Sequence, residues 1–91
     1  MADTEVLGEA MAEEMMFGAI QYMKTKNFDM HDETKFNAIL NAIRAGARSA
    51  MDEAFTDAKA AFDAHMDQIG TQTAMATMRL AGIRAAKSVL G

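Results

Sequence analysis

From Phe36 onward, apolar residues return at Leu40, Ile43, Ala47, Met51, Ala54, Ala58, Phe62, His65 or Met66, and Ile69. The steps average about 3.67 residues, close to a straight α-helix and to the 11-residue repeat. The spacing therefore predicts one long helix over about residues 33–69, without a strong left-handed supercoil, and His65 on its stripe reads as a packed histidine rather than a ligand. Pro and Cys are both absent. That removes the punctuation of loop-rich and all-β folds, and with it disulfide staples and thiolate metal sites. The expected class is all-α: three helices with 33–69 as the long central one, arranged as a helical hairpin or three-helix bundle.

The flanking helices follow from caps and breakers. Asp3 or Thr4 caps a first helix over about 4–26, with Glu5 and Glu9 where the helix dipole favours negative charge. Its apolar residues go nearly all round: Leu7, Met11, Met15 and Tyr22 on one side, Met16, Ile20 and Met23 on a second, Val6, Ala10 and Phe17 on a third. Such a helix is central in its bundle or covered by other copies of the protein. The stretch from Asn27 to Glu33 reads as a turn, with Asp29 or Asp32 as the next N-cap. Gly70 followed by Thr71 reads as a stop and a fresh cap, or as a kink, and opens a third helix over about 71–90. Met75, Met78, Gly82, Ile83, Ala86 and Val89 form its apolar side, while Arg79, Arg84 and Lys87 make it cationic. Alone, residues 71–91 would look like a membrane-surface peptide; as the last helix of an acidic chain they are expected to dock internally.

Ninety-one residues make a single domain, 1–91. The hydrophobic 51% includes nineteen Ala and ten Met, leaving seventeen bulky residues of fixed shape. This core is thin, so burial against further copies is expected to complete the fold. Ala42, Gly46, Ala50, Ala54 and Ala58 line a stripe along the second helix where a neighbouring helix can approach closely. Met is flexible and suits surfaces that repack against partners. Charge is also segregated. Residues 1–33 carry Asp3, Glu5, Glu9, Glu13, Glu14, Asp29, Asp32 and Glu33 against Lys24 and Lys26, whereas residues 71–91 carry Arg79, Arg84 and Lys87 and no acid. An acidic head and a basic tail attract within one chain or propagate between neighbours. The expected interface is thus Met15, Met16, Phe17, Ile20 and Met23, the stripe Ala42, Gly46, Ala50, Ala54 and Ala58, and the cations Arg79, Arg84 and Lys87.

Catalytic, cofactor and metal sites are not expected. The titratable inventory is two His, one Tyr and scattered carboxylates, without a helical Glu-x-x-His or His-Glu-x-x-His pair and without a Gly-rich phosphate loop. His31 with Asp29, Asp32 and Glu33 reads as a capping cluster before it reads as a metal loop. An acidic chain whose few basic residues do not alternate with aromatics is not expected to bind nucleic acid. The longest apolar run, Met15 to Met23, is too short to span a bilayer. Asp3, Glu5 and Glu9 stand where a signal peptide needs positive charge, so a cytoplasmic protein is expected.

Two segments, Val6-Leu7-Gly8-Glu9-Ala10-Met11-Ala12 and Asp67-Gln68-Ile69-Gly70-Thr71-Gln72-Thr73-Ala74, resemble landmarks of the R-body (RebB, killing-trait) structural proteins. That resemblance covers about a fifth of the chain and implies a small, Ala-rich, non-catalytic component of a coiled ribbon. The chain departs from the family in being Met-rich rather than Gln- and Asn-rich, more charged, wider between the landmarks and short of a C-terminal extension. No functional residue is implied. The leading expectation is a non-enzymatic protein that forms a helical oligomer, filament or ribbon-like assembly with itself. The alternative is a small acidic regulator or phage accessory protein that meets a partner's basic surface through Glu5, Glu9 and Glu13.

Overall fold

The computed structural model describes the backbone from Asp3 to Gly91 and the side chains from Gly8 onward. The readings at the side chains of Asp3, Thr4, Glu5, Val6 and Leu7 lie outside the described residues. Three helices, α1 (Asp3–Thr25), α2 (Glu33–Asp63) and α3 (Asp67–Leu90), form an all-α three-helix bundle. Asp32 caps α2: its side chain accepts a hydrogen bond from the Lys35 N–H at 3.1 Å. Asp29 serves the turn before it, accepting from the His31 N–H at 2.9 Å.

Both interhelical turns are built alike. At the end of α1, the Asn27 N–H reaches the Lys24 carbonyl and the Phe28 N–H reaches that of Met23; at the end of α2, the His65 N–H reaches Phe62 and the Met66 N–H reaches Ala61. These are the paired bonds of a Schellman motif, which places one residue in the left-handed region and satisfies the last carbonyls of the helix. Asn27 and His65 occupy that position, at φ 51° and 59°.

The second turn corrects the expected boundaries. The long helix stops at Asp63, not about 69, and α3 begins at Asp67, not about 71. His65 is exposed in the turn and does not pack on the stripe. Gly70 neither stops nor kinks a helix; it is buried in the first turns of α3. A Cβ there would stand 2.6 Å from the Phe62 ring and 3.0 Å from the Ala58 carbonyl oxygen, so Gly70 is what lets α3 start this close to α2.

Two apolar clusters fix the helix directions. One joins Met11 and Met15 of α1, Ala50, Ala54 and Ala58 of α2, and Ala74 and Met78 of α3. The other joins Ala19 and Met23, Ile39, and Ala86. Hence α1 and α3 run parallel and α2 runs back between their ends. At about 1.5 Å per residue, the 31 residues of α2 account for the 45 Å long axis.

α2 is central in chain order, but α3 is central in space. It packs along both other helices, whereas α1 and α2 touch only briefly. α1 is therefore an outer helix, despite apolar residues on every side. Gly18 and Gly82 explain the arrangement. A Cβ on Gly18 would overlap the Arg79 carbonyl oxygen, and one on Gly82 would overlap that of Met15 and lie 2.9 Å from the Ala19 nitrogen. The parallel helices thus meet backbone to backbone, and the buried positions of α3 are, apart from Met78, all Gly or Ala.

Candidate interaction surface

The expected interface residues divide into three groups. Met15, Met23, Ala50, Ala54 and Ala58 are buried within the single chain, so they are core residues and not a surface offered to another copy. The reason is physical: an Ala stripe and unbranched Met side chains are what a close Gly/Ala helix such as α3 can accept. Met16, Ile20, Ala42 and Gly46 are half-buried at the edges of the bundle. Phe17 is 59% exposed, and Arg79, Arg84 and Lys87 reach solvent.

Arg79 is committed inside the chain. Its Nε donates to Glu14 Oε2 at 2.9 Å and its Nη2 stands 2.9 Å from the same oxygen in an ion pair, beside the Gly18 contact. Here the acidic head and basic tail meet intramolecularly. Arg84 instead borders a cleft of about 260 Å³ that also takes in Met15, Gly46, Ala50 and Glu53. The structure therefore brings four of the expected interface residues together in one groove.

Further apolar surface lies at residues outside the expected set. Met30 is 53% exposed, Ile69 52%, Leu80 52%, Met66 46% and Phe55 39%. Leu80 stands off the apolar side read along the third helix, and that displacement was the available signal. Ile69 was placed inside the long stripe, so an exposed role for it could not be read. Among the described residues, the largest fully buried side chains are Met11, Met15, Ile39 and Met78. The innermost positions are thus mostly Ala and Met, most of the larger apolar side chains pack around them half-buried, and Phe17, Phe55, Ile69 and Leu80 stay exposed.

The bundle is elongated, 45 × 24 × 18 Å, and its area and radius reflect that shape. The chain exposes 6023 Å², while a compact monomer of its 9.9 kDa mass would expose about 5200 Å². Its radius of gyration is 14.1 Å, against about 12.2 Å for a compact domain of this length.

Folding also sorts the charges along the long axis. The half built from the start of α1, the end of α2 and the start of α3 carries Glu9, Glu13, Glu14, Asp52, Glu53, Asp57, Asp63 and Asp67 against Lys59 and Arg79. The other half carries Lys24, Lys26, Lys35, Arg44, Arg48, Arg84 and Lys87 against Asp29, Asp32 and Glu33. Lys59 is spent locally on Asp63 at 3.0 Å. The Met66–Ile69 corner closes the acidic half. At the basic end, Ile20, Met23, Lys24, Asn27, Phe28 and Met30 line a cleft of about 320 Å³.

Among the described residues, no three His, Asp or Glu side chains converge to hold a metal ion, and no helix is long and apolar enough to cross a membrane. No family model, curated protein or solved structure matches the chain.

Proposed function

We propose that the protein is a non-enzymatic structural component of the cytoplasm whose task is to assemble with itself into a helical oligomer or filament. One observation carries this reading: the folded chain buries Met11, Met15 and Met23 of its first helix and the alanines that α2 and α3 turn toward each other, but leaves Phe17, Met30, Ile69 and Leu80 more than half exposed. A ribbon of the kind the R-body resemblance implies would be one form of such an assembly.

The acidic half gives a second reading some support. Glu9 and Glu13 on α1 and Asp52, Glu53 and Asp57 on α2 are all exposed and would suit a partner with a basic surface. Sedimentation velocity over low to high micromolar concentration, with negative-stain microscopy, separates the two. Concentration-dependent species larger than a monomer are expected. A strict monomer at several hundred micromolar would remove the self-assembly reading and leave the acidic binding module.

A further inference from the structure

Resting on self-assembly, we infer that two copies pair side by side through the outer face of α3, the two α3 helices antiparallel about a twofold axis at the level of Met78. α1 and α2 cover two sides of α3 and leave a third open. Along that side run Ile69, Thr73, Ala76, Leu80, Ile83 and Lys87, in alternate steps of four and three residues. Such spacing keeps one seam turned toward a partner helix, as in a coiled coil. Ile69 and Leu80 are each 52% exposed, Ala76 is exposed, and Thr73 and Ile83 are half-buried. The Thr73 hydroxyl already donates to the Ile69 carbonyl at 2.8 Å, so covering this residue orphans no polar group.

The stripe is complementary to itself when reversed. In an antiparallel pair, Leu80 lies over the partner's Ala76 and Ile83 over the partner's Thr73, large on small at each step. A parallel pair would set Ala76 on Ala76 and leave a void. Charge gives the same direction. No carboxylate stands on the stripe, and its cations gather at one end: Lys87 on it and Arg84 at its edge, beside the cleft that also takes in Glu53. Arg79 is already held by Glu14. A parallel partner would bring Lys87 against Lys87. Reversal parts the two by about 27 Å along the axis and lays each basic half along the partner's acidic half, where Glu9, Glu13 and Asp67 are exposed. A second copy therefore supplies both the shape and the field that this face requires.

The chain has no Cys, so single cysteines placed in the full chain report the direction. In the antiparallel pair, position 73 of one copy neighbours position 83 of the other, whereas like positions stand about 15 Å apart along the axis, beyond disulfide reach. Under mild oxidation, Thr73→Cys and Ile83→Cys should each stay free of cross-links alone and give a mixed disulfide dimer when combined. Leu80→Lys, at a position more than half exposed, should keep the parent's helical circular dichroism and thermal midpoint while associating on the order of tenfold or more weakly in sedimentation. A parent that assembles while Thr73→Cys cross-links to itself, while the mixture yields no mixed disulfide, or while Leu80→Lys associates as the parent does, would overturn the α3 seam and leave self-assembly through another face. A monomeric parent would overturn both and leave the stripe to a helix of another protein.

Discussion

Gly82 of α3 rests on the main-chain carbonyl of Met15 in α1, with no space for a side chain between the two helices. Adding a methyl group there forces backbone apart instead of moving a side chain, so Gly82→Ala should cost about 1–3 kcal/mol. Gly8, on the same outer helix, has nothing within 4 Å of its absent Cβ. Gly8→Ala should therefore stabilise by roughly 0.5–1 kcal/mol through helix propensity alone. Urea unfolding of the two variants gives opposite signs if α1 and α3 cross as described; equal behaviour would contradict the crossing.

His65 carries a left-handed backbone in an exposed turn, where it makes no buried contact. Left-handed geometry costs an ordinary L-residue roughly 1–2 kcal/mol, and glycine adopts it without that penalty. Replacing His65 by Gly should raise the thermal midpoint, with a gain of about 1 kcal/mol. The same change at Asn27 should gain less, since Asn tolerates this conformation better. A loss of stability at His65→Gly would mean the turn is held differently.

Met78 and Leu80 sit two residues apart and face opposite fates. Met78 is fully buried and Leu80 is 52% exposed. Met78→Ala should destabilise by about 2–5 kcal/mol. Leu80→Ala should stay within about 0.5 kcal/mol of the parent in unfolding. If Leu80 belongs to surface that copies cover, its truncation should lower association measured by sedimentation without touching the fold.

The Glu14–Arg79 pair is partly solvated, Arg79 being about half exposed. A double-mutant cycle with Glu14→Gln and Arg79→Gln should give a coupling of about 0.2–1 kcal/mol. That coupling should shrink in about 1 M salt. Absence of any coupling at low ionic strength would show that the acidic first helix and basic third helix do not meet at this point.

The long helix was legible because its apolar rhythm from Phe36 to Phe62 has one physical source, a single buried face. Its end was not legible, because the rhythm continues through Met66 and Ile69 while the chain turns at a histidine. A Schellman turn normally advertises itself with glycine, and here the nearby glycine, Gly70, serves close packing instead. Where the expected interface residues would lie was legible only in part for a related reason. Periodicity identifies a face to be covered but does not say which helix covers it, so Ala50, Ala54 and Ala58 looked available to another chain until α3 took them.

Local chemistry along the chain was enough to set three helices, their approximate extents and the Asp32 cap, since these depend on neighbours within a few residues. The direction and order of the helices were decided only in three dimensions, by the two apolar clusters and by Gly18 and Gly82, which let α3 settle against α1. Because α2 runs back along the bundle, its arginines at 44 and 48 join Lys24 and Lys87 at one end, and its acids at 52, 53 and 57 join Glu9 and Glu13 at the other. A charge sequence becomes a molecular dipole only when each helix has been given a direction, and that choice belongs to packing.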